Sequence, residues 1–292
     1  MGNIILGLIP ALMWGMLPVI LQKLGGKPGS QQMGLALGAL LFAVVVLFFK
    51  GPVDWTPNIV ISSFICGLVW TLAMNTQIVS YSLLGVAVTM PFTAGLQIIG
   101  TTLIGVLYFG EWTTTGKIVL GFAAILLIII GVVFTTYSEK KNTAAGSAPA
   151  NNKRSGIIVL VISSIAFIVW ATIPRFTHVN GWDANFPLAV GMFVGTFVYG
   201  LIRNEGQMWA ASSFRNILSG IVFSAGSLAM MLSNEINGIA VGFTLAQMLI
   251  VVSTLGGLLI LKEQKSRKEI SFILLGVCMV VCGGIGIGMT KL

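Results

Sequence analysis

Ten stretches of roughly 20 predominantly apolar residues follow one another along this chain with short polar breaks between them. They fall at about residues 3–22, 31–49, 58–80, 84–109, 118–136, 155–174, 185–202, 216–234, 238–261 and 270–290. A hydrocarbon layer about 30 Å thick takes roughly 20 helical residues to cross, and inside it every backbone N–H and C=O must be satisfied. Such a pattern predicts an all-α integral membrane fold of ten transmembrane helices. Only 8% of the residues are charged and 56% are hydrophobic, far from the soluble average of about a quarter charged. The N-terminus runs into a full-length span without a basic leader, so it reads as the first helix and not as a cleaved signal.

The net charge of +8 does not point to nucleic acid, because the basic residues sit in short loops between spans. Alternate loops place Lys23, Lys27, Lys140, Lys141, Lys153, Arg154, Arg203, Arg215, Lys262, Lys265, Arg267 and Lys268 on one side, and Lys50, Lys117, Arg175 and Lys291 on the other. The richer side is expected in the cytoplasm, which leaves both termini outside the cytoplasmic membrane. Cys66, Cys278 and Cys282 lie within spans as small apolar residues, with no disulfide framework and no metal site. No cofactor is called for.

One polar linker, about residues 137–154, divides the chain into halves 1–136 and 155–292, each with five spans. Trp14, Pro18 and Gly25 match Trp170, Pro174 and Gly181 at a constant offset, as do Gly34 and Gly38 with Gly191 and Gly195. "TTLIGVLYFGE" from Thr101 lines up with "STLGGLLILKE" from Ser253, and Gly131 with Gly283. An odd number of spans per half makes the repeats inverted. That arrangement typically builds a transporter with its site near the midplane.

The residues that break the apolar pattern point the same way. On the third span Cys66, Trp70, Thr71, Met74, Asn75, Gln77, Tyr81 and Ser82 share an arc of about 180°, with Ser80 pointing away. Thr89, Thr93, Gln97 and Gly100 form a stripe on the fourth, and Ala240, Thr244, Gln247 and Thr254 one on the ninth. For single serines and threonines, and for the glycine pairs, helix packing is the better account. For Asn75, Gln77, Gln97 and Gln247 a wet cavity is, since their donors and acceptors suit a hydroxylated ligand. Trp14 and Trp70 lie mid-span, where an indole face can pack on the C–H face of a sugar. Trp170 is nearer a helix end and serves either site or interface, while Trp55, Trp112, Trp182 and Trp209 are expected in the interfacial belt.

Ionisable groups are scarce in the spans. Glu235 is the most deeply placed carboxylate and the candidate for proton coupling, against an interfacial role. Glu111 and Glu263 end repeat-related spans and are expected to bind loop amides or lysine. There is no nucleophile with a base, no acidic pair and no phosphate loop, so an enzyme is not expected.

"GEWTTTGKIVLGFAAILLIIIGVVF" from Gly110 and "LKEQKSRKEISFILLGVCMVVCGG" from Leu261 resemble the drug/metabolite transporter superfamily. Within it, "PALMWGMLPVILQKLGGKPGSQQMGLALGALLF" and "GFTLAQMLIVVSTLGGLLILKEQKSRKE" resemble the bacterial glucose/ribose uptake family, which is related to rhamnose transporters. The resemblance implies monosaccharide import with proton symport, through Trp14, Gly15, Pro18, Trp70, Asn75, Gln77, Gln97 and Gln247. Gly226–Ser227 departs from the Gly–Asn pair expected in the eighth span. The partners so implied are a small sugar, protons and the lipid bilayer. The alternative is an exporter of amino acids or other metabolites, which the scarcity of buried charge disfavours.

Overall fold

The computed structural model describes residues 2–51, 53, 55–108, 110, 112–137, 150–179, 181–203, 207–237, 246 and 248–290, and the described secondary structure is entirely helical. The helices are α1 (Gly2–Leu24), α2 (Pro28–Lys50), α3 (Pro57–Leu84), α4 (Val86–Leu107), α5 (Thr115–Thr135), α6 (Ala150–Thr177), α7 (Gly181–Ile202), α8 (Ala211–Arg215), α9 (Ile217–Asn237), α10 (Leu249–Leu255) and α11 (Arg267–Met289), with Gly256–Ile260 continuing α10 as a π-helical turn. Eight of these, among the described residues, are long and apolar enough to cross a membrane: α1 to α7 and α11. The α9 helix and the shorter apolar Leu249–Ile260 lie where the eighth and ninth spans are expected.

Local chemistry sets the ends. Thr56 and Thr114 accept the amides of Ile59 and Lys117 at the starts of α3 and α5, and Ser266 with Glu269 forms a reciprocal capping box on α11. Gly85 alone joins α3 to α4 at φ 82°, a conformation that a Cβ disfavours.

The α3 helix lies against α6 and α7, α1 against α9 and α10, α2 against α7 and α9, and α5 against α11. Close backbone approach makes these contacts possible. A Cβ on Gly34 would strike the Ser213 carbonyl, one on Gly38 the Ile217 carbonyl, and one on Gly191 the Phe64 carbonyl. The glycine pairs therefore serve packing, as expected. Where α5 meets α11, a Cβ on Gly131 would lie 2.7 Å from the Gly276 carbonyl oxygen, and one on Gly283 would lie 2.9 Å from that of Ala124.

At the end of the bundle where α2 finishes and α7 begins, Lys50 pairs with Asp183 at 2.7 Å and lies over the Trp182 ring. Beside them the rings of Trp55 and Phe186 stack 5.5 Å apart. Trp112, expected in the interfacial belt, lies beside the ends of two spans but is turned inward. It is buried, its ring fills the space that Gly121 leaves, and its Nε1 donates to Thr290 Oγ1 at 3.1 Å. The indole joins the start of α5 to the end of α11. Trp112→Phe is expected to lower stability by about 1 kcal/mol, the size of one buried hydrogen bond, read as a fall in detergent melting temperature.

Candidate functional site among α1, α3, α4, α6 and α9

The polar arc of α3 is buried almost as expected. Cys66, Trp70, Thr71, Met74, Asn75, Gln77 and Tyr81 are all buried, but Ser82 is exposed and Ser80 is fully buried, its hydroxyl donating to the Thr76 carbonyl. An α-helical arc predicts one buried face. The α3 helix instead has neighbours on several sides, so position 80 is covered as well.

Three aromatic rings meet inside the bundle. Trp70 is 0% exposed, and its ring lies 5.2 Å from that of Phe223 on α9. Trp14 of α1 stacks on the same phenyl ring at 6.1 Å, and its Nε1 donates to the Phe223 carbonyl at 3.0 Å. Gly226 leaves room for this indole, since a Cβ there would sit 2.8 Å from Trp14 Nε1. The Ser227 hydroxyl donates to the same Phe223 carbonyl, so at the position that departs from the Gly–Asn pattern it is turned back onto its own helix. On α6, Phe167 and Trp170 meet ring edge to ring face. The Cys66 thiol donates to the Trp170 carbonyl at 3.3 Å.

Hydroxyls on α6 draw the amide-bearing helices together. Ser163 donates to the Ala73 carbonyl of α3 at 2.7 Å, while Ser164 donates to Thr93 Oγ1 of α4 at 3.2 Å. Gln97 Nε2 donates to that same Thr93 oxygen at 3.1 Å. Among the described residues, Gln77 Nε2 reaches the Met90 sulfur, at 3.9 Å.

Three buried donors here lack an acceptor. Trp70 Nε1, Trp170 Nε1 and Asn75 Nδ2 have no hydrogen-bond partner among the described residues. Each such group costs about 1–3 kcal/mol, and the aromatic wall beside them is apolar. Donors lacking acceptors next to aromatic faces match a molecule with an apolar face and a rim of hydroxyls. The structure thus brings Trp14 and Trp70 together on Phe223, ties Trp170 to α3 through the Cys66 thiol, and places Asn75, Gln77 and Gln97 on helices joined to these. Gln247 lies outside the described residues, as does the side chain of Glu235, whose backbone belongs to α9.

Residues 5–290 match the family described as Sugar transport protein. The chain belongs to the sugar transport family. A Listeria monocytogenes member, whose name carries the words sugar uptake protein, is 42% identical over 99% of each chain. Relatives named "Probable glucose uptake protein GlcU" are 40% identical in Bacillus cereus, over 100% of both chains, and 36% identical in Priestia megaterium, over 99% of both. A solved crystal structure shares the fold, with a TM-score of 0.62 at 15% identity over 99% of this chain and 98% of that one. As a member of the sugar transport family, the chain is a multi-pass membrane transporter and not an enzyme.

Sequence reasoning missed two features of this family member. Phe223 lies inside an apolar run, so nothing in the pattern singles it out. Gln32 sits one turn inside α2, where a span edge is expected, yet it is 0% exposed. Its amide nitrogen lies 3.5 Å from both the Thr71 carbonyl and Thr196 Oγ1, and its carbonyl oxygen has no partner among the described residues. Pro28 at the first helical position was the available signal, because it starts α2 early enough to carry Gln32 inward.

Proposed function

We propose that this member of the sugar transport family imports a monosaccharide of the glucose or ribose type across the cytoplasmic membrane, coupled to protons and with Glu235 as the proton site. The observation that carries the reading is the set of unpartnered buried donors, Trp70 Nε1, Trp170 Nε1 and Asn75 Nδ2, beside the Trp14–Phe223–Trp70 rings. Sugar hydroxyls replace the missing acceptors, and the rings take the C–H face. Gln77, Gln97 and Gln247 complete the lining. The names of the GlcU relatives support glucose as the first sugar to try.

Transport by alternating access would follow from two inverted halves, 1–136 and 155–292, rocking about this site, with 137–154 as a cytoplasmic linker and both termini outside. The helix contacts support such a repeat. Exchanging each helix of the first half for its counterpart turns the α3–α6 contact into α9–α1, α3–α7 into α9–α2, and α4–α6 into α10–α1, and all of these pairs exist. The α5–α11 contact exchanges with itself. At the offset that matches Gly131 with Gly283, Ala124 matches Gly276, so the Gly131–Gly276 and Ala124–Gly283 approaches are the same contact made twice.

Purified protein in liposomes, given labelled glucose or ribose with and without an acid-outside gradient, tests the proposal. Saturable uptake of one sugar, accelerated by the gradient, is expected. Failure of folded protein to take up either sugar would overturn the substrate assignment, and uptake indifferent to the gradient would remove the proton.

A further inference from the structure

The carboxylate of Glu263, in the segment after α10, reaches the first turn of α4. Its Oε1 accepts the Val86 amide at 2.6 Å and the Ala87 amide at 3.3 Å, and its Oε2 accepts Ala87 at 3.4 Å. A helix start leaves four amides without an intrahelical acceptor. Here α4 has no cap of its own, because the residue before it is Gly85 and offers no side chain. A carboxylate at that end also meets the positive pole of the helix.

The surrounding chain is shaped to admit this one side chain. A Cβ on Gly85 would fall 2.5 Å from Oε2, and one on Gly257 would fall 2.9 Å from Oε1. Immediately upstream, Gly256–Ile260 is a π-helical turn, a widened geometry that is rare and frequent at functional sites. Lys262 then adopts φ 53°, in the left-handed region that non-glycine residues seldom occupy, and the Glu263 amide closes onto the Gly257 carbonyl at 3.2 Å. Three departures from regular helix thus precede a single carboxylate and aim it at α4.

The capped turn and the candidate site are separable. Pro91 lacks an amide hydrogen, so the Ala87 carbonyl receives no bond from it, and the helix is weakened between the capped turn and Thr93 and Gln97. Beyond Glu263, a contact from the first turn to α3 holds it: Thr89 Oγ1 donates to the Ser80 carbonyl. A cap that crosses from one half to the other, on a turn hinged from the rest of its helix, can be made and broken without dismantling the site.

We propose that Glu263 is a positioning residue for the transport step: its cap on α4 ties the two halves together at the end of the bundle where the α3–α4 turn meets the α10–α11 segment, and the cap breaks when that end opens. The proposal rests on the two-half reading of the transporter but not on the identity of the sugar. Glu269 is the built-in comparison, since its carboxylate accepts the Ser266 amide at 2.8 Å and so caps the start of its own helix.

The test sets Glu263→Gln and Glu263→Asp beside Glu269→Gln in liposomes, measuring kcat and KM for labelled glucose uptake together with the melting temperature. Glu263→Gln is expected to lower kcat at least tenfold with KM within about threefold, Glu263→Asp to recover part of that rate, and Glu269→Gln to stay within about twofold of the unmodified kcat although it melts earlier. A folded Glu263→Gln protein with unmodified kcat, or one whose loss lies wholly in KM, overturns the proposal. If Glu263→Ala does not fold, Glu263→Gln and Glu263→Asp carry the test, since each keeps an oxygen that can accept the Val86 and Ala87 amides. A substrate-independent measurement separates this from the sugar assignment: with Val88→Cys added, a water-soluble thiol reagent should label the buried first turn at least tenfold faster in the Glu263→Gln chain than in the Glu269→Gln chain. Equal labelling overturns the latch even if the protein carries some other sugar.

Discussion

Asn75→Leu is expected to lower kcat/KM for sugar uptake at least tenfold, chiefly through KM, and at the same time to raise the melting temperature. The two signs come from one atom. Asn75 is 3% exposed and its Nδ2 has no partner among the described residues, so the apo protein carries a desolvation cost of about 1–3 kcal/mol that a leucine, with the same branched skeleton, removes. The sugar hydroxyl that would satisfy the amide loses its donor, and a tenfold fall in affinity corresponds to about 1.4 kcal/mol. Asn75 fits a binding group held in readiness at the expense of stability, a trade common at functional sites. Uptake kinetics and a thermal melt on the same preparation check it. A variant that melts lower while transporting normally would make Asn75 a packing residue with an unseen partner.

Gly38→Leu is expected to abolish recovery of folded transporter. Gly38 lies where α2 crosses α9, and a Cβ there would collide with the Ile217 carbonyl and come within 2.8 Å of the Gly220 Cα. Backbone atoms cannot move aside as a flexible side chain can, so the helices must separate. That separation would carry away the contacts of Phe223, further along α9, with Trp14 and Trp70. A loss of at least about 4 kcal/mol, at the upper end for a point substitution, follows from forcing apart a close-packed crossing. Size-exclusion profiles in mild detergent distinguish this outcome from a modest fall in activity. Gly51→Leu, where a Cβ would meet nothing within 4 Å but φ is 83°, is a useful contrast in which backbone strain acts without collision.

The lipid made much of this fold legible. A helix in hydrocarbon has to satisfy its own backbone, so span length is written directly in the apolar run, and α2 at Pro28–Lys50 or α11 at Arg267–Met289 lies within three residues of its expected ends. The aromatic and amide face of α3 was legible for the same reason, since Asn75 and Gln77 stand out against their neighbours. Ser80 was not, because an arc cannot reveal that α3 has neighbours on more than one side. Trp112 reads like an interfacial indole until Gly121 and Thr290 give it a pocket and a partner. Phe223 is invisible as one phenylalanine in an apolar run, although it touches both Trp14 and Trp70. Glu263 was legible as a binder of loop amides. The sequence could not say that the amides belong to α4, because that pairing depends on how the two halves meet.

The pairing of α5 with α11 sets a schedule for the ribosome. The glycine face of α5 ends at Thr135, and the Gly276 backbone it packs against belongs to α11, which ends at Met289. At about 5–20 residues per second, roughly eight to thirty seconds of synthesis separate the two. Throughout that interval α5 stands in the bilayer with its close-packing face toward lipid or insertion machinery. Nascent chains stalled before α11 would therefore display a helix whose mate never arrives.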